Sequence, residues 1–254
     1  MIRHVLFSTV AVLSASALVA SAAPKDEVTD AAKKLADAPN YSWKSTTEMA
    51  GGGGGGGGGR GFGGPTEGKA EKGGFTHLTM TRGDNTIEAV VKGEKGAVKT
   101  PDGWQSFEEL QQAAGDGGGQ GGRGRGMFGR MLRNMRAPAQ EASEIAAKTK
   151  EITKSGDAYT ADLTEEGAKE LLTMRGGRRG GADAGNAPPA PTNAKGTAKF
   201  WVKDGQLAKY EYNVKGTMSF GGNDIDIDRT TTVEIKDVGS TKVEVPAEAK
   251  GKVS

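Results

Sequence analysis

Asp224, Asp226 and Asp228 alternate along one stretch, and three carboxylates so close invite comparison with a cation site. A calcium loop that begins at Asp224 wants glycine at its sixth position and glutamate at its twelfth. Those positions hold Arg229 and Ile235. On a strand, same-face neighbours stand about 7 Å apart, too far for one small ion. The three aspartates therefore read as a solvated strand face opposed by lysines. His77 is the one histidine beyond the first four residues, and there is no cysteine. A zinc site needs more imidazole or thiolate than that. His77, between Phe75 and Thr79, reads as structural. No G-x-S-x-G elbow or other nucleophile setting is present, so no catalytic residue, metal or cofactor is expected.

Two further motifs lie in glycine tracts. Gly59-Arg60-Gly61-Phe62-Gly63-Gly64 matches G-x-G-x-x-G. A dinucleotide site needs that motif between a strand and a helix, and no helix pattern follows it. Arg123, Arg125 and Arg130, with Phe128 nearby, have the chemistry of RNA-binding Arg-Gly segments. The net charge of +2 gives no global support for nucleic acid. These tracts read as solvated loops, with contact to an anionic membrane or polymer surface as the second reading. Met127 to Leu132 is their apolar exception, a short amphipathic helix that docks on the barrel mouth, with a membrane surface as the second reading. Tyr41, Trp43, Phe200, Tyr210, Tyr212 and Phe220 remain. They are aromatics on sheet faces. They form core, or they line a ligand cavity if the sheet is an open half-barrel.

The elements that must position these aromatics are strands. From Gln206 to Phe220, Ala208, Tyr210, Tyr212, Val214, Met218 and Phe220 share one parity and polar residues the other. From Asp224 to Val238 the pattern repeats with Ile225, Ile227, Val233 and Ile235. Such alternation predicts antiparallel strands with one wet face. Asp204-Gly205 is a strong hairpin signal before them, and Thr197 to Lys203 is the strand that precedes it. A short continuation is expected at Thr241 to Val245. In the first half, Lys25 to Ala38 has helical periodicity, Tyr41 to Met49 is a strand, and Glu67 to Arg82 is one strand bulged near Gly73-Gly74. Thr86 to Lys92 and Ala97 to Thr100 form a hairpin. Trp104 to Ala114 contains a short helix capped by Asp102 or Ser106. Pro138 opens a helix to Lys148, Lys150 to Leu163 is a hairpin, and Thr164 caps a helix that reaches Met174.

Two parts of the 254-residue chain fall outside this count. Met1 to Ala22 has the basic start, the apolar run of about fifteen residues and the small-x-small ending of a secretory signal peptide. Cleavage without a following cysteine predicts a periplasmic or secreted protein rather than an acylated one. The segments 51–65, 115–136 and 175–195 are low-complexity insertions that cannot bury enough apolar surface to order themselves. Residues 23–254 are thus expected to form one domain. Its class is mainly β (α+β): a curved antiparallel sheet, an incomplete β-barrel, covered by short helices.

Phe200-Trp201-Val202-Lys203-Asp204-Gly205-Gln206-Leu207, then Lys209-Tyr210-Glu211, resembles the second half of the bacterial lipoprotein-carrier superfamily, the LolA-like and LppX/LprG-like proteins. Glu234-Ile235-Lys236-Asp237-Val238-Gly239 and Val243-Glu244-Val245-Pro246 are similar to its closing strand and Val-Pro ending. The resemblance implies a half-barrel wrapped around helices with an apolar cavity for acyl chains. Its partner would be a hydrophobic ligand, lipid or a lipoprotein's acyl chain, and the family supplies no catalytic residues. A lipobox cysteine and any counterpart of the three insertions are departures from it. The expectation is a non-enzymatic exported carrier. The alternative is an envelope interaction module that works through its Gly/Arg loops.

Overall fold

The computed structural model describes residues 23–50, 64–115, 128–175, 189–220 and 223–253. The predicted leader, the dinucleotide-like motif up to Gly63, and Arg123 and Arg125 lie outside them.

Eleven strands form a single antiparallel sheet. They are β1 (Asn40–Met49), β2 (Thr66–Glu71), β3 (Thr76–Arg82), β4 (Asn85–Lys92), β5 (Lys95–Thr100), β6 (Gly103–Ser106), β7 (Thr153–Ser155), β8 (Ala158–Asp162), β9 (Thr192–Lys203), β10 (Gln206–Phe220) and β11 (Asn223–Lys236). Their order is β6-β5-β4-β3-β2-β1-β11-β10-β9-β8-β7, with β6 and β7 at the two edges. The sheet is therefore not closed. Within each half every strand pairs with its neighbour in sequence, and the halves meet where β1 pairs with β11, from Ser42 opposite Lys236 to Met49 opposite Arg229.

The alternation fixes which face is dry. On β11 the odd-numbered residues from Arg229 to Ile235 are buried, and on β10 Tyr210, Tyr212 and Val214 are buried. The Asp204-Gly205 turn takes left-handed φ at both residues, 53° and 71°, as a tight hairpin requires. Glu67 to Arg82 differs from the bulged single strand expected. Gly73 has φ 66° and the chain reverses there, so β2 and β3 pair as a hairpin. Ser106, not Asp102, caps the helix expected in the stretch from Trp104 to Ala114, and Trp104 lies on β6 before it.

Helices fill the concave side. They are α1 (Pro24–Asp37), α2 (Phe107–Gly115), α3 (128–133), α4 (Pro138–Ala147) and α5 (Glu165–Arg175), and α6 (Ala247–Lys252) follows the last strand. The buried side chains of α1 are Val28, Ala31, Ala32 and Leu35, and those of α4 include Ala139, Ala142, Ile145 and Ala146. Both stripes follow the helical three-and-four spacing. Leu132 of α3 is buried in the same core, and Phe128 packs against it, so the short apolar helix docks on the chain. Among the described residues no helix is long and apolar enough to cross a membrane.

The end of the chain departs from expectation. Thr241 to Val245 is not a strand. The Thr241 N–H donates to Asn40 Oδ1 at 2.7 Å, and the segment leads to α6. Ala249 and Val253 then cover Val90, Ala97 and Trp104 in a second, smaller core. Those residues have the parity opposite to Ala89 and Val98, which belong to the main core. Thus α6 lies on the outer face of the sheet.

Candidate functional site

Five of the six candidate aromatics meet in one cluster. Tyr41 and Trp43 project from β1, Phe200 from β9, and Tyr210 and Tyr212 from β10, and all five belong to the main core. The side chain of Phe220 lies outside the described part. The rings of Tyr41 and Trp43 are tilted with centroids 5.7 Å apart. Phe200 stands between Tyr210 and Tyr159 on its two neighbouring strands. Trp43 lies across Gly68 of β2, where an added Cβ would come within 2.1 Å of its ring. The row is closed over by helices: its members are between 0% and 6% exposed.

What closes it is chemically distinctive. The buried faces of α1 and α4 are rich in alanine, which gives close approach but little interlocking. Hydroxyl-to-carboxylate bonds fasten them. Tyr210 donates to Glu141 Oε2 at 2.5 Å and Tyr212 donates to Glu141 Oε1 at 3.1 Å. One carboxylate in the first turn of α4 thus holds two adjacent inward residues of β10. Tyr159 donates likewise to Glu27 in the first turn of α1, and the Lys154 ammonium sits 5.0 Å above the Tyr159 ring. Carboxylates at these positions also suit the positive ends of the helices. Burial pushes the Tyr41 phenol above its ordinary pKa, and a hydrogen bond with the Ala139 backbone partly offsets this.

The inner face carries other polar groups that the sequence reading passed over. Thr47 and Thr231 face each other with hydroxyls 3.3 Å apart. Arg229 is buried, and its Nη2 donates to the Leu171 carbonyl of α5 at 2.6 Å. The signal was available. Arg229 and Thr231 share the parity of Ile227, Val233 and Ile235, so the alternation already turned them inward. Glu141 had no such signal, because its tyrosine partners come from a distant strand.

The remaining candidates fall on the outer face. Asp228 pairs with Lys215 at 2.8 Å and accepts from Asn213 at 2.8 Å. These contacts, Lys215 first, hold its carboxyl below the ordinary aspartate range. Thr217 donates to Asp226 at 2.7 Å and Ser219 donates to Asp224. The three aspartates are a bonded strand face. Among the described residues no group of three potential ligands is placed to hold a metal. His77 is partly buried on the outer face beside Val90 and Lys69, and desolvation lowers its pKa. A depression of about 520 Å³, lined by Glu151, Thr153, Thr160, Asp162, Thr197 and Lys199 among others, includes none of the candidates.

No family model and no curated protein sequence matches the chain. Its structure is similar to that of LprF from Mycobacterium bovis, at 10% identity over 89% of this chain and 97% of that one, with a TM-score of 0.45. It is also similar to that of the Mycobacterium tuberculosis lipoprotein LppX, at 12% identity over 88% of this chain and 98% of that one, with a TM-score of 0.41.

Proposed function

We propose that the protein, after export, binds and carries a hydrophobic ligand, lipid or the acyl chains of a lipoprotein, between the concave face of the open sheet and the helices that lie on it. One observation carries this reading. The aromatic row of Tyr41, Trp43, Phe200, Tyr210 and Tyr212 is covered by separate short helices, not by a second sheet. The buried faces of α1 and α4 carry Ala31, Ala32, Ala139, Ala142 and Ala146, and both helices are pinned by tyrosine–carboxylate bonds. Alanine contacts are cheap to exchange. An acyl chain that displaces a helix re-covers the aromatics and gains about 25 cal/mol for each Å² of its own apolar surface buried.

The test is lipid extraction of protein purified from its native envelope, read by mass spectrometry, with uptake of a fluorescent fatty acid by the delipidated protein. Co-purifying lipid and saturable uptake are expected. A protein that carries no lipid and takes up no probe would overturn the reading.

A further inference from the structure

β1 ends before its neighbour does. The β1–β11 ladder stops at Met49 opposite Arg229, and the chain bends at Ala50. The β10–β11 ladder runs on to Phe220 opposite Asn223. Among the described residues, β11 is therefore paired on its β10 side alone from Asn223 to Ile227. The last bond on the other side tells which backbone groups this leaves. The Ala50 N–H donates to the Asp228 carbonyl at 2.9 Å. In an antiparallel ladder, alternate residues turn both backbone groups to the same side. The N–H and C=O of Asp226 and Asp224 thus point along the lane that β1 would have continued.

The two faces of that lane differ in chemistry. On the inner face stand Met49, Ile225 and Ile227, with Met49 62% exposed and Ile225 49%. On the outer face stand Glu48, Asp226 and Asp224, all exposed. Thr217 and Ser219 donate to Asp226 and Asp224, but a hydroxyl leaves the negative charge in place. Lys215, on the next strand, is paired with Asp228. The two outermost strands are blunted by shortness, four residues in β6 and three in β7. A second copy fits the β11 edge badly. Two such edges side by side would set aspartate against aspartate, and like charges across a ladder destabilise it. A strand with lysine or arginine on one parity and apolar residues on the other suits both faces and takes up the backbone groups as well. That is recognition by strand addition.

We propose that the β11 edge from Asn223 to Ile227 docks an extended basic peptide segment as an added strand. Its lysines or arginines lie against Asp224 and Asp226, and the apolar residues between them lie against Ile225 and Ile227. The partner is thus a protein segment of alternating basic and apolar residues, and the edge serves it whether or not the core holds a lipid.

Fluorescence anisotropy on the full chain tests this with three labelled octapeptides: alternating Lys-Val, alternating Glu-Val, and Lys-Val with every lysine amide N-methylated. The first should bind about tenfold more tightly than either of the others. The double variant Asp224→Lys with Asp226→Lys should reverse the order of the first two. Asp226→Pro removes a donor on the lane side and leaves the β10 ladder whole, so the melting temperature should hold while Lys-Val binding falls about tenfold. Equal binding of Lys-Val and Glu-Val, binding that survives N-methylation, or no binding at all overturns the proposal. A dimer in sedimentation that Asp226→Pro dissolves would give the edge to a second copy and overturn the basic partner.

Discussion

Replacing Glu141 by alanine tests how the helical layer is fastened to the sheet. Its two oxygens accept from Tyr210 at 2.5 Å and from Tyr212 at 3.1 Å. A hydrogen bond to a charged group contributes about 1.5–3 kcal/mol. The longer contact should lie at the weak end of that range and the shorter nearer the strong end. Glu141→Ala should therefore destabilise the fold by about 4–5 kcal/mol. Tyr210→Phe removes only the shorter of the two bonds and should cost about 2–3 kcal/mol alone. In the Glu141→Ala background the same change has no carboxylate left to lose, so it should cost much less. The resulting coupling energy should reach about 1–2 kcal/mol. Urea unfolding followed by tryptophan fluorescence measures it, because Trp43 lies in the same core. The carrier reading adds a second observable: Glu141→Ala should take up an acyl probe faster than the unaltered protein. Costs that add within about 0.5 kcal/mol would refute the idea that the pair acts as a fastener.

Gly68→Ala places a methyl 2.1 Å from the Trp43 ring. Overpacking of this kind costs about 1–3 kcal/mol, and an unchanged urea midpoint would show that the ring has room to move. Desolvation lowers the folded-state pKa of His77, so the folded protein binds fewer protons there than the unfolded chain. Stability should fall as pH drops below about 6.5, the unfolded value, and level off once the folded-state pKa is passed. His77→Gln should flatten the melting temperature in that window; a profile identical to the unaltered protein's would clear His77 of the effect. Ser106 Oγ accepts from the Glu109 N–H at 3.1 Å while the Ser106 N–H donates to Glu109 Oε2 at 2.6 Å. This is a capping box at the start of α2. Ser106→Ala should cost about 0.5–2 kcal/mol in urea unfolding, and no loss would mean that Glu109 holds the helix start alone.

Alternation was the legible part of the sequence. β10 occupies the residues its pattern predicted, because polar and apolar residues there obey one dry face and one wet face without exception over most of its length. The five described aromatics share one core for the same reason. β9 was read as shorter than it is. It begins at Thr192, inside a composition of alanine, proline and lysine that carries no strand signal, and only its pairing with β10 extends it. The β2–β3 hairpin was hidden by Gly73-Gly74, since paired glycines mark bulges and reversals alike. The Glu141 bonds were not legible at all. A glutamate in the first turn of a helix looks like a solvated partner of the helix dipole until a sheet brings tyrosines over it.

The β4–β5 hairpin was expected; that its strands are dry on both sides was not. β4 carries Ala89-Val90-Val91 and β5 carries Ala97-Val98, short runs rather than alternations. Such runs belong to strands buried on two faces. Ala89 and Val98 face the main core, while Val90 and Ala97 face Trp104, Ala249 and Val253. The run therefore demanded a cover on the outer face, and α6 supplies it. The sheet is sealed twice from β4 to β6, by α2 with α3 inside and α6 outside. From β1 through β11 to β8 it is sealed once, on the inside, by α1 and α4, pinned through Glu27 and Glu141, and by α5. Opening the first half would expose Phe107, Leu110 and Leu132, each about 1.5–3 kcal/mol of buried side chain. Lifting α4 off the second half gives up chiefly alanines, Ile145 and the two Glu141 bonds. On the carrier reading, a rearrangement that admits a ligand costs less there.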